Sequence, residues 1–286
     1  MTTPSTVDRH FLSQPQFWLL ALLAGLYAIY MTLAWRAENV SHVAISLLFG
    51  CAVFSLLQDK QHKLNFGSSL PASLVGTGLV LGVLGYSATQ TVNPFLRLLP
   101  ILSGLGVGLL ASGFRGLKQY RQELIALFFL GVPSVIAAFW IDISPITAIF
   151  SRLLLLYTGF EVSGQGTYVA LPTGSIKVVY DCSGIDQMNY LLGLSVLSLV
   201  MFPLKGWMKQ VLVPLVGLVL GFFANVIRVA MMAIFAASNK AAFDLWHTGE
   251  GSYIFAFLAV LCLGLFYRWL LKAEELVPPS TAADSS

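Results

Sequence analysis

The segment 210-QVLVPLVGLVLGFFANVIRVAMMAIFAA-237 is a long apolar run interrupted by the polar residues Asn225 and Arg228. Crossing the hydrocarbon core of a bilayer takes roughly 20 apolar residues in a helix, so this segment predicts a membrane-spanning helix. The whole chain has the same character: it is 57% hydrophobic and 10% charged, with a mean hydropathy of +0.80, whereas a soluble domain is about 25% charged. We therefore predict an all-α polytopic membrane protein.

Seven other apolar runs are long enough to be considered as spans, giving eight predicted crossings in total. A small extracytoplasmic segment separates the fifth crossing from the sixth. The other predicted spans are 16–35, 43–58, 70–88, 94–113, 123–141, 185–203 and 253–271.

The distribution of basic residues predicts the orientation, because Lys and Arg concentrate in cytoplasmic loops. With the N-terminus in the cytoplasm, ten of the sixteen Lys and Arg residues lie on the cytoplasmic side. The sequence therefore predicts an integral protein of the plasma (inner) membrane with both termini cytoplasmic. We expect one membrane domain, 1–286, with a flexible polar tail at 275–286 and no cleavable signal peptide.

The segment 142–184 is the only long loop that this topology places outside. Its first part, 144–160, contains an apolar stretch broken by Arg152, which favours an interfacial helix over a span. The next part, 161–181, alternates in strand fashion around a Pro-Thr-Gly turn signal and predicts a β-hairpin. The hairpin would deliver Cys182 to the membrane surface.

Cys182 is the one cysteine of three with polar neighbours, since Cys51 and Cys262 lie inside apolar runs. Ser183 can cap the following helix, and Asp186 completes an S-x-x-D capping box. Cys182 then sits just before a helix N-terminus, which favours a thiolate, whereas Asp181 opposes it. The alternative is a capped helix start whose cysteine has no chemical role.

Arg228 lies 19 residues beyond Lys209 in the span that enters from the cytoplasm, or about 28 Å along a helix. It is therefore predicted near the outer edge of the membrane, with Asn225 on the same helix face. A charge at the centre of a spanning helix costs about 2.5–3.5 kcal/mol on an insertion scale and suggests a function. The alternative is an Arg that reaches the headgroups or pairs with a carboxylate such as Asp186.

His247, in the loop before the last span, is the third candidate. The other histidines, His10, His42 and His62, fall in the N-terminal tail or early loops without reactive neighbours. Cys182, Arg228 and His247 all arrive at the outer interface, although the topology was derived without them. A thiol nucleophile, an imidazole acid/base and a permanent cation form a coherent set for acyl transfer.

The same residues resemble the exosortase/archaeosortase family. The resemblance rests on DCSGID around Cys182, NVIR within a late membrane helix, and the loop His247, in that order. It covers the multi-span core and is closest over 175–270, and the CSGIDQ wording is most similar to the cyanobacterial branch. Many relatives carry Arg where this chain has Asp186.

The resemblance implies a membrane-embedded cysteine protease or transpeptidase. Its substrates would be exported proteins whose C-terminal sorting signal combines a Pro-Glu-Pro-like motif, a transmembrane span and a basic cluster. Cys182 would be the nucleophile, His247 the acid/base and Arg228 the oxyanion-stabilising or substrate-orienting residue. Asn225, Ser183 and Asp186 would support the site from its surroundings.

Proteins of other functional classes are alternatives to a cysteine peptidase. A transporter with Arg228 binding an anionic ligand would need more polar residues at mid-span. An envelope assembly protein could use small residues such as Gly104 and Gly108 for helix contacts.

A zinc protease is disfavoured because the chain has no H-E-x-x-H, so no metal or cofactor is expected. Nucleic-acid binding is disfavoured because the basic residues are dispersed. The oligomeric state stays open.

Overall fold

Helices make up most of the chain in the computed structural model, which describes residues 15–37, 40–89, 91, 93–236, 238–247 and 251–275. A short antiparallel hairpin, β1 (Tyr168–Leu171) and β2 (Gly174–Lys177), is inserted between two helices. The α-helices are α1 (Pro15–Arg36), α2 (Val40–Lys60), α3 (Leu70–Ala88), α4 (Leu99–Gly116), α5 (Arg121–Trp140), α6 (Ser144–Tyr157), α7 (Ile185–Met201), α8 (Trp207–Phe235), α9 (Lys240–His247) and α10 (Gly251–Glu275).

Six helical segments of the described chain are long and apolar enough to cross a membrane. One of them, Pro94–Trp140, is 47 residues long and contains both α4 and α5, which correspond to two predicted spans. The predicted span 185–203 is helix α7, which has only 17 residues. The all-α polytopic class is confirmed, whereas the predicted count of eight spans is not.

The chain divides into two compact units, Met1–Trp140 and Ile141–Ser286. In the first unit, glycines allow helices to approach closely. A Cβ at Gly76 would lie 2.7 Å from the carbonyl oxygen of Gly106, and one at Gly104 would lie 2.6 Å from Leu127. Gly104 thus packs against a helix of its own unit. The prediction of one membrane domain stays a prediction, and 276–286 of the predicted tail lies outside the described residues.

A buried polar network in the first unit corrects the prediction for His42. His42 lies on α2 rather than in a loop, and its Nε2 is 2.7 Å from the Tyr30 hydroxyl. That hydroxyl is also 2.6 Å from Ser46 Oγ. The three side chains are between 0% and 3% exposed. Buried polar groups need hydrogen-bond partners. Here the Tyr30 hydroxyl is the partner of both His42 and Ser46, and the spacing of these residues in the sequence did not predict the contact.

The second unit is built around α8. Gly217 and Gly221 form a small-residue stripe on α8, and a Cβ at Gly221 would come 2.8 Å from the Cα of Met188 on α7. Small residues at such spacing let membrane helices approach closely. The helix and the hairpin predicted within 142–184 are confirmed as α6 and as β1–β2. The inner face of the hairpin packs on α8, with Val169 and Val178 buried beside Val229.

Candidate active site

Cys182 lies in a tight turn between the hairpin and α7. The 3₁₀ turn Tyr180–Cys182 is closed by the Cys182 N–H, which donates to the carbonyl of Val179 at 2.9 Å. The cysteine is only 8% exposed and packs within an apolar cluster that includes Ala230 of α8. The turn therefore presents a nearly buried thiol at the start of α7.

Gly184 makes the turn possible. It has φ of +93°, in the left-handed region, and is the N-cap residue of α7. A Cβ there would lie 2.7 Å from three atoms of Asn225, so a side chain would meet both backbone strain and a steric clash. The predicted cap at Ser183 is therefore wrong by one residue, although Ser183 Oγ accepts the Ile185 N–H at 3.3 Å.

Two side chains hold consecutive carbonyls of this turn. Asn225 Nδ2 donates to the carbonyl of Cys182 at 2.8 Å, and Thr147 Oγ1 donates to the carbonyl of Ser183 at 2.7 Å. Both donors are buried, Asn225 at 1% exposure and Thr147 at 0%. They come from α8 and α6, so two helices fix the backbone that directly follows the thiol-bearing carbon.

The thiol faces the imidazole of His247. Sγ of Cys182 lies 3.5 Å from Nε2 of His247, within hydrogen-bond reach for sulfur. His247 is the last residue of α9, and its ring stacks on Phe243 with centroids 5.2 Å apart and planes 21° apart. Phe243 therefore orients the imidazole plane toward the thiol.

Arg228 binds the C-terminal end of α9. Its Nε donates to the carbonyl of Trp246 at 3.1 Å, and Nη2 donates to the carbonyl of His247 at 2.6 Å. Its Nη1 approaches Oδ1 of Asn225 at 3.4 Å. A cation suits the last carbonyls of a helix, which carry partial negative charge. One guanidinium therefore joins the His247 backbone to the side chain that holds Cys182.

The electrostatic surroundings keep the resting thiol protonated. Burial raises the pKa of Cys182, the nearby Arg228 charge lowers it, and Asp181 raises it, so the pKa is above its ordinary value. The sequence had suggested that the helix N-terminus would favour a thiolate. Desolvation is the largest influence on this pKa and outweighs the opposing charge of Arg228, because the charged form loses more hydration than the neutral thiol.

The structure brings Cys182, Asn225, Arg228 and His247 into one connected set, with Ser183 beside the thiol. Asp186 is half-buried in the first turn of α7. Sequence reasoning missed Thr147, whose signal was a polar stripe on α6: Ser144, Thr147 and Ser151 are all at most 2% exposed. Among the described residues, no group of three or more His, Cys, Asp or Glu side chains could hold a metal ion.

Comparison with known proteins identifies the family. The family model described as transmembrane exosortase matches residues 34–264, which is well over half of the chain and includes every residue of this set. No curated protein matched, and no solved structure matched. The chain belongs to the transmembrane exosortase family.

Proposed function

We propose that this protein is a membrane-embedded cysteine protease or transpeptidase that cleaves C-terminal sorting signals of exported proteins through a thioester intermediate. The signal is a Pro-Glu-Pro-like motif followed by a transmembrane span and a basic cluster. The observation that carries the proposal is the 3.5 Å approach of Cys182 Sγ to His247 Nε2. The family itself, one of cysteine peptidases and transpeptidases, supports a membrane transpeptidase-like role and substrates that are exported proteins.

The chemistry starts from the protonated thiol of Cys182. As Sγ of Cys182 attacks the carbonyl carbon of the scissile peptide, the thiol proton passes to Nε2 of His247, and the peptide C=O becomes an oxyanion. When the tetrahedral intermediate collapses, the C–N bond breaks and the imidazolium gives its proton to the leaving amine. The products are an acyl thioester on Cys182 and a released C-terminal span with a new amino terminus.

The second half returns the enzyme to its starting state. Water or an amine attacks the thioester carbon while His247 takes the proton from the attacking group. The C–S bond then breaks, and the sulfur regains a proton from the imidazolium. Water gives a free carboxyl terminus, whereas an amine acceptor gives a new amide on the exported protein.

Arg228 supplies a permanent positive charge near both reacting groups. Its charge lowers the pKa of Cys182, so it stabilises the negative charge that develops on sulfur and on the peptide oxygen. Its donors already engage the carbonyls of Trp246 and His247, which weighs against a free anion-binding site of the kind a transporter would need. We therefore assign Arg228 both electrostatic stabilisation and positioning of His247.

The proposed reaction takes place at the extracytoplasmic face of the plasma membrane. The orientation with both termini in the cytoplasm puts the hairpin and the α8–α10 connection outside. A substrate span inserted beside these helices would present its outer junction at the level of Cys182. This placement would allow processing after export of the preceding domain.

The test is co-expression with a reporter that ends in a Pro-Glu-Pro-type signal, a span and a basic tail. We expect a smaller reporter with the wild type and with Cys262→Ala, a cysteine exposed on α10, but not with Cys182→Ala. Hydroxylamine added to purified enzyme and reporter should yield a C-terminal hydroxamate by intercepting the thioester. No processing by the wild type across several signal variants would overturn the proposal.

A further inference from the structure

The two edges of the β-hairpin differ in how their backbone groups are satisfied. On the β1 side, Ala170 exchanges both of its backbone hydrogen bonds with Ser163, at 2.8 and 2.9 Å. The carbonyl of Tyr168 accepts a hydrogen bond from Arg152 Nη1 at 2.6 Å. The N–H of Tyr168 donates to the Gln165 carbonyl at 3.0 Å. The outer edge of β1 is therefore closed by the preceding segment.

The outer edge of β2 is open. Ala170 points its N–H and C=O away from β2, so its partner Ser175 points its own backbone groups away from β1. Backbone groups repeat their direction at every second residue of a strand, so the N–H and C=O of Lys177 also point away from β1. No backbone hydrogen bond of Ser175 or Lys177 occurs within the described residues. Two N–H and two C=O groups thus form a free row along β2.

The free edge leads directly to the reactive thiol. Lys177 is five residues before Cys182, and the intervening chain forms the turn that holds the cysteine. The inward side chains, Ile176 and Val178, contribute to the same apolar cluster as Cys182. The edge and the thiol are therefore parts of one rigidly packed element, and a chain bound along β2 would extend toward Cys182.

The charge of the hairpin indicates what kind of chain would bind. Between Tyr168 and Lys177 the hairpin has no acidic residue. Lys177 is exposed, with Nζ 5.9 Å from the centre of the Tyr168 ring. An unprotected strand edge is a template for strand addition, and a lysine beside it favours a peptide that carries a carboxylate.

We propose that the outer edge of β2 binds the sorting signal of the substrate as an added strand, placing the scissile peptide at Cys182. This inference rests on the proposed function, because it names the binding mode of that substrate. Main-chain hydrogen bonds give affinity in such complexes, and alternate side chains give specificity. A Pro-Glu-Pro signal suits this mode: when the Glu backbone pairs with β2, the Pro nitrogens, which carry no hydrogen, face away from it.

The first test removes one outward N–H. Ser175→Pro deletes the donor while leaving every bond between β1 and β2, whereas Ser175→Ala removes only the hydroxyl and keeps the donor. We expect reporter processing by Ser175→Pro to fall roughly fivefold to tenfold below that by Ser175→Ala, the effect of one lost hydrogen bond. Equal processing by the two variants would overturn the inference while leaving the proposed function standing.

The second test does not require catalysis. Cys182→Ala/Ser175→Cys protein is mixed with reporters that carry a single cysteine at successive positions of the signal, and disulfide formation is measured by gel shift. Because alternate side chains share one face of a strand, we expect trapping at every second position. The matched control Tyr168→Cys, one strand farther from the edge, should trap much less.

The outcomes separate the two claims. Periodic trapping with no cleavage by the wild type would support the edge as a binding site and count against the proposed function. Uniform trapping at consecutive positions, or none, would overturn strand addition. Cross-linking between two copies of Ser175→Cys protein in place of the reporter would also overturn it, by showing that the edge pairs with a second copy of the chain.

Discussion

Replacing Asn225 is the most direct test of how the site is positioned. Asn225→Ala removes the donor to the Cys182 carbonyl, a 2.8 Å bond in a nearly buried setting. A buried carbonyl left without a partner costs about 1–3 kcal/mol. If the whole of this free-energy loss raises the activation barrier by misaligning Sγ with His247, kcat decreases by about fivefold to about 150-fold.

Asn225→Asp separates the two contacts of this side chain. Aspartate keeps the size and can still accept from Arg228, but its ionised carboxylate has no donor for the Cys182 carbonyl. We expect Asn225→Asp to process the reporter no better than Asn225→Ala, with KM unchanged in both. The assay uses purified protein in detergent, with thermal unfolding measured in parallel. Retention of wild-type kcat within twofold by Asn225→Asp would refute the reasoning.

The remaining predictions concern the same site. Gly184→Ala should lower both the melting temperature and processing, because φ of +93° and a 2.7 Å approach to Asn225 leave no room for a Cβ; thermal unfolding and the reporter assay check this. Arg228→Lys keeps the charge but cannot reproduce the planar fork of donors, so processing should fall about tenfold or more relative to the wild type at equal protein levels. Since burial raises the pKa of Cys182, its alkylation by a maleimide should accelerate as the pH rises through and beyond the usual thiol pKa of about 8.5. A rate already at its plateau below pH 7 would indicate a resting thiolate.

The membrane class and the candidate residues could be predicted because polar residues are rare in membrane-spanning segments, so the few that occur there stand out. Arg228 and Asn225 stand out in an apolar helix, and Cys182 stands out among three cysteines by its polar neighbours. The hairpin was predictable from alternation and its turn residues. Each of these signals lies within a short stretch of neighbouring residues, so it can be recognised from the sequence alone.

The partners of Arg228 could not be predicted in the same way. The guanidinium binds main-chain carbonyls of Trp246 and His247, and every residue carries a carbonyl, so no side-chain type marks the contact. The role of Thr147 depends on α6 packing beside the Cys182 turn. The close fit of Gly184 to Asn225 joins residues far apart in the sequence, and no spacing rule reveals it.

The pKa of Cys182 depends on a property that its neighbours in the sequence do not show. A helix N-terminus favours a thiolate when the sulfur stays hydrated. Here the side chain is 8% exposed among apolar residues, and burial is the largest influence on the pKa of Cys182. The degree of burial is a tertiary property, so it could not be predicted from the residues around Cys182.

Helix α8 sets the separation between the reactive pair, Cys182 and His247. Asn225 reaches the cysteine turn and Arg228 reaches the histidine helix, and the two anchors are three residues apart on one rigid rod, or about 4.5 Å along its axis. The connections that lead to the cysteine turn and to α9 can therefore vary in length while the pair keeps its separation. A single residue inserted between the anchors would rotate one relative to the other by about 100° and uncouple the pair, without changing any residue that reacts.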